Sequence, residues 1–118
     1  MKIQTIANKV KKSTGEGYIL RGATAGTVFA EFCAEDWESY TAICNKAWRM
    51  KGVHVENHLM TRVVRLWTAE DWKTFNDFED EKKTLVNGFW EALHNFGRAA
   101  ADAYYIEHKA DYVRLGIV

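Results

Sequence analysis

The chain reads as an α+β domain built from two hairpin–helix (ββα) units, residues 17–51 and 52–86, preceded by a short N-terminal segment, 1–16, and followed by a C-terminal helix and tail, 87–118. Three observations carry this reading. The tetrapeptide Ala-Glu-Asp-Trp occurs twice, in "CAEDWESY" at 33–40 and "TAEDWKTF" at 68–75. Before each copy the hydrophobic pattern alternates with a period of two, and after each it changes to about 3.6. Proline is absent from all 118 residues, which permits long helices and leaves turns to Gly, Asn and Asp.

In the N-terminal segment, Ile3, Ile6, Ala7 and Val10 fall on one helical face, with Lys9, Lys11 and Lys12 on the polar side. In the first unit, "GYILRGATAGTVFAEF" has two extended runs around "GATAG", whose glycines accept the positive φ of a tight connection. In the second, "GVHVENHLMTRVVRLW" has the alternating "VHV", a polar "EN" taken as the turn, and then "TRVVRLW". A shift of 35 aligns Gly17 with Gly52, Leu20 with Val55, Phe29 with Val64 and Phe32 with Trp67. An internal duplication explains this register; the alternative is that two helices share a start signal.

Residues 34–51 predict an amphipathic helix ended by Gly52, with Trp37, Tyr40, Cys44, Ala47 and Trp48 on its stripe and Ile43 beside it. Ala-Glu-Asp-Trp then serves as a helix-start device. Thr68 is the N-cap of the second copy, Glu70 and Asp71 put negative charge on its first turn, and Cys33 is a poor cap for the first. Beyond Glu70, Trp72, Phe75, Phe78, Leu85, Phe89, Leu93, Phe96, Ala100 and Ala103 recur at helical spacing. The acidic "DFEDE" and "NG" at 87–88 interrupt them, so two helices meeting near 81–88 are expected. "DYVRLGIV" reads as a short strand or an extended tail.

Composition excludes several function classes. Sixteen basic and sixteen acidic side chains cancel, so no global field draws the chain onto nucleic acid or an anionic membrane. Cys33 and Cys44 lie too far apart along a helix to bridge and are read as reduced, and the chain has neither a signal-like apolar run nor a membrane-spanning stretch. A cytoplasmic, single-domain protein is expected, with no membrane partner. Sixteen aromatic residues, five of them tryptophan, supply burial for a core and also anchors for an interface.

No catalytic motif emerges. His54 and His58 are four apart in "HVENH", but the glutamate is not adjacent to the first histidine as a zinc-protease helix requires, and the segment reads as hairpin. "EKK" at 81–83 with Asp71 or Asp77 imitates a metal-dependent nuclease set, yet such a charge run is ordinarily a solvated face. Cys44 sits on an apolar stripe and is read as core. No enzyme activity, metal or cofactor is expected.

Local charge is polarised. Lys46, Arg49, Lys51, Arg62 and Arg65 face only Glu56 in their segment, with Trp48 and Trp67 interleaved. Glu70, Asp71, Asp77, Glu79, Asp80 and Glu81 face only Lys73. The acidic set, with aromatics the core does not consume, predicts a protein-binding surface. The basic set with Trp48 and Trp67 predicts, as the competing class, a nucleic-acid surface. A third reading has the two sets neutralise one another within the fold. A homo-oligomer is compatible with either function. A small, cysteine-poor, aromatic-rich chain of this kind suits a stand-alone binding protein, including inhibitors that phages and mobile elements carry as accessories, for example against host defence.

Overall fold

The computed structural model describes residues 2–117, and the fold is α+β, with four α-helices and a four-stranded antiparallel sheet among them. In chain order these are α1 (Ile3–Thr14), β1 (Ile19–Gly22), β2 (Val28–Cys33), α2 (Trp37–Trp48), β3 (Val53–His58), β4 (Val63–Thr68), α3 (Ala69–Phe96) and α4 (Arg98–Arg114). Packing divides the chain into two compact units, one running through Phe75 and the other starting at Asn76, so the division falls inside α3.

In the first unit the sheet order is β1-β2-β4-β3. Strand alternation gives the sheet two faces. Ala30, Phe32, Val64 and Leu66 point to one, where they form a core with Ile6, Ala7 and Val10 of α1 and Tyr40, Ile43, Cys44 and Ala47 of α2. The expected faces of α1 and of the middle of α2 are thus the buried ones. Trp37 and Trp48 depart from the expected stripe, being 50% and 59% exposed. They are the first and last residues of α2, and its buried residues lie between them.

The first hairpin turns at "GATAG" as expected, with Ala25 and Gly26 at positive φ. The second does not turn at "EN". Glu56 and Asn57 lie within β3, paired with Arg65 and Val64, and the chain turns through Leu59–Thr61, with Arg62 left-handed at φ 56°. Two polar residues read as a turn because their partners are remote in sequence: Glu56 accepts from Trp67 Nε1 at 3.2 Å and Asn57 Nδ2 donates to Tyr40 Oη at 2.9 Å.

The repeated tetrapeptide occupies two different structural positions. In the first copy Asp36 is the N-cap, accepting from Ser39 N at 2.8 Å, and Trp37 opens the helix. In the second, Thr68 is the cap, accepting from Asp71 N at 3.1 Å, and Trp72 comes a turn later. Register confirms the offset. A uniform shift of 35 would carry Phe29, on the face away from α1 and α2, onto Val64, which faces them. The loop between paired residues is 23–27 in the first hairpin and 59–62 in the second, so no single shift superposes both.

The second unit is a helical hairpin. Helix α3 runs unbroken through "DFEDE" and "NG" to Phe96, and the break lies at Gly97, whose φ of 90° suits glycine. Gly88 is a packing glycine: a Cβ there would overlap the Tyr104 phenol. Its small size admits a ring from α4 without interrupting α3. The expected C-terminal strand or extended tail is, through Arg114, the end of α4, and Tyr112 and Leu115 are buried beside Leu85. Tyr112 Oη donates to Leu85 O at 2.8 Å, and Arg114 pairs with Glu81.

Candidate interaction surfaces

The sheet face turned away from α1 and α2 carries most of the first unit's polar chemistry. Glu31 accepts from Arg21 Nε and Arg65 Nε, each at 3.1 Å, Arg65 approaches Glu56 at 3.8 Å, and Glu56 meets His58 Nε2 at 3.2 Å. Burial alone would raise the Glu31 pKa, but the Arg65 and Arg21 guanidiniums outweigh it and the carboxyl lies below its ordinary value. At the other end of this face the first turns of α3 cover Trp67. Phe29 and Phe75 lie 4.8 and 4.7 Å from it between ring centroids, and His54 stacks on Trp72 at 3.7 Å. Burial lowers the His54 pKa and favours the neutral ring. Among the described residues no group of three His, Cys, Asp or Glu side chains is placed to hold a metal ion.

This arrangement takes Trp67 and Arg65 out of the expected basic surface. Trp67 is 1% exposed and cannot stack a base, and Arg65 is committed to Glu31 and lies over the Phe29 ring at 5.2 Å. Lys46, Trp48, Arg49 and Lys51 sit elsewhere, at the C-terminal end of α2 and in the turn after it. Arg62 is in the β3–β4 turn. The residues contiguous in sequence are therefore distributed over different parts of the unit.

The acidic set divides as well. Asp71 is used internally, its Oδ2 accepting from Val28 N at 3.1 Å and fixing the start of β2 to the start of α3. Glu70 belongs with it to the first unit. In the second unit Asp77, Asp80 and Glu81 lie within one arc of α3 at about 100° per residue, whereas Glu79 points to the opposite side. Glu79 pairs with Lys82 at 3.8 Å and Glu81 with Arg114.

Sequence reasoning missed the surface that the β3–β4 turn creates. Met60 is 92% exposed and Leu59 59% exposed in that turn, and Trp37 stands beside it with the Arg62 guanidinium 5.7 Å over its ring. Arg62 is held there by its backbone: its carbonyl accepts from Ala34 N at 3.0 Å, while its Nε is buried with no hydrogen-bond partner among the described residues. A signal for this was present in "HLMTR", where two apolar residues occupy a turn. The second unit has its own apolar features, a groove of about 250 Å³ lined by Val86, Phe89, Trp90, Tyr105, Tyr112 and Ile117. No helix among the described residues is long and apolar enough to cross a membrane.

Comparison with known proteins found no matching family model, no matching curated protein and no matching solved structure.

Proposed function

We propose that this chain is a non-enzymatic binding protein that acts by occupying a surface of a protein partner. One observation carries the reading: Trp37, Leu59 and Met60 are exposed around Arg62, at a turn whose backbone is tied to Ala34 and whose guanidinium lies over the Trp37 ring. Exposed Trp and Met beside a half-buried Arg on a turn with a fixed backbone are the composition of an interface hot spot, because the backbone that carries them is already ordered before they are covered. Asp77 and Asp80, with Glu81 beside them paired to Arg114, supply a second, electrostatic contribution that favours a basic partner and speeds encounter. The accessory-inhibitor role of the kind phages and mobile elements use, and a cytoplasmic location, rest on size, composition and the two free cysteines.

The finer reading of the fold belongs here too. Two hairpin–helix units related by duplication are supported by the strand order, in which β2 and β4 are central and β1 and β3 are edges. The relationship requires a one-residue slip between the arms of the hairpins.

The test is capture from host lysate, with and without nuclease, followed by cross-linking that maps the contact. A partner protein recovered in both cases, cross-linked near Trp37 and bound about 30-fold more weakly by a Trp37→Ala, Met60→Ala variant, is the expected result. Nucleic-acid binding that falls steeply with salt and is lost in a Lys46→Glu, Arg49→Glu, Lys51→Glu variant would overturn it, placing function at Trp48, which is exposed among those cations.

A further inference from the structure

Helix α4 has two apolar faces, and only one is covered. Ala101, Tyr112 and, just past the helix end, Leu115 are buried in the second unit, with Tyr104 and Tyr105 partly so. On the opposite side Ala99, Ala103, Ile106, Ala110 and Val113 are all exposed, Ile106 at 72% and Val113 at 58%. Their spacing alternates four and three residues through the whole helix, the spacing of a two-helix seam. Alanines at three of the positions allow another helix to approach closely while Ile106 and Val113 act as knobs.

The charges flanking the seam identify what covers it. Asp102 and Lys109 lie along one edge, Glu107 and Arg114 along the other. Asp102, Glu107 and Lys109 form no ion pair among the described residues. If a second copy of α4 lay parallel, Asp102 would face Glu107 and Lys109 would face Arg114, two like-charge contacts on each side. Laid antiparallel, with Ile106 against Ala103 of the other copy and Ala99 against Ala110, Asp102 meets Lys109 and Lys109 meets Asp102. The antiparallel arrangement pairs opposite charges twice, and it is isologous, as a twofold interface requires. Val113 then lies toward the α3–α4 turn of the other copy, where Phe96 is 80% exposed.

We propose that the exposed face of α4 is the interface of an antiparallel homodimer, centred on Ile106 and Ala103 and oriented by the Asp102–Lys109 pairs. This surface is distinct from the Trp37–Arg62 patch and stands on its own observation.

Sedimentation of the full chain between about 1 and 100 μM tests it. The wild type is expected to show a concentration-dependent monomer–dimer equilibrium, and Ile106→Glu, an exposed change that leaves the circular dichroism spectrum intact, is expected to give monomer. Lys109→Glu sets acid against acid twice and should weaken the dimer roughly tenfold, whereas Asp102→Lys with Lys109→Glu restores both pairs and should return affinity to within about threefold of wild type. A wild type that is monomeric throughout overturns the proposal and leaves the face to a different partner. So does a dimer indifferent to Ile106→Glu. If Ile106→Glu misfolds, the charge series decides alone, and failure of the double exchange to restore affinity overturns the antiparallel pairing.

Discussion

The first unit encloses a continuous core between one sheet face and two helices, with Phe32, Ile43, Val64 and Leu66 wholly buried. The second has a core of Leu85, Tyr112 and Leu115 supported by partly exposed aromatics, and it leaves Phe96, Ile106 and Val113 in solvent. Two layers can shield both sides of a set of side chains; a helical hairpin has only one inner seam, so its outer faces are covered by other means or stay exposed. The first unit therefore holds its structure by volume, the second by a few specific contacts. Substitutions separate the two modes.

The largest effect is expected where volume dominates. Phe32 is fully buried, with Tyr18 at 5.4 Å between ring centroids, and Phe32→Ala should cost about 4 kcal/mol by leaving a cavity that the sheet cannot collapse into. Denaturant unfolding followed by tryptophan fluorescence measures this. A loss below about 1 kcal/mol would mean the site relaxes freely, against the packing described.

Next comes the polar ladder on the other sheet face. Glu31→Gln leaves Arg21 and Arg65 without their carboxylate, at a cost of about 2 kcal/mol at neutral pH. The folded pKa of Glu31 is lowered, so its stabilisation is fully present above the unfolded value and is lost as pH falls through the folded one. Wild type and Glu31→Gln should therefore converge in stability in acid, below the ordinary glutamate range. Parallel curves from neutral to acid pH would show that the pair contributes nothing.

In the second unit, Gly88→Ala reverses an ordinary expectation. Alanine in a helix interior gains about 1 kcal/mol over glycine, yet here its methyl would meet the Tyr104 ring. A net loss of about 1–2 kcal/mol is expected, relieved by Tyr104→Ala in the same chain. Thermal melting of the two single variants and the double variant gives the coupling directly. Stabilisation by Gly88→Ala alone would show that α4 does not press on α3 at this point.

These sites also mark what could be read from the sequence. Periodicity located α1, the buried face of α2 and the first hairpin, because each is specified by residues close together in the chain. Gly88 was misread as a break because the ring that needs it is sixteen residues away, on another helix. Glu56 and Asn57 were misread as a turn because Trp67 and Tyr40, which satisfy them, are remote. The candidate surfaces suffered most. Charge runs in sequence became Asp71 bound to Val28 and Arg65 bound to Glu31, while the exposed Trp37–Arg62 patch joins residues from two segments. Local order is written locally, and exposure is settled only by what else packs nearby.

The smallest effect sharpens the comparison at the repeated tetrapeptide. Thr68 is buried and caps α3 with a neutral hydroxyl, so Thr68→Ala should cost about 1 kcal/mol with no pH dependence of its own. Asp36 caps α2 with a carboxylate in solvent. Its pKa is lowered, first by the Ser39 backbone N–H and more weakly by Arg62, so the cap contributes above the unfolded aspartate value and is lost as pH falls through the folded one. The difference in melting temperature between wild type and Asp36→Ala should accordingly shrink in acid, while that for Thr68→Ala persists. Calorimetric scans of both variants at neutral pH and below the ordinary aspartate range compare the two directly. An acid-sensitive Thr68→Ala difference, or an Asp36→Ala difference that survives full protonation, would show that the charge of the Asp36 carboxylate is not what separates the two caps.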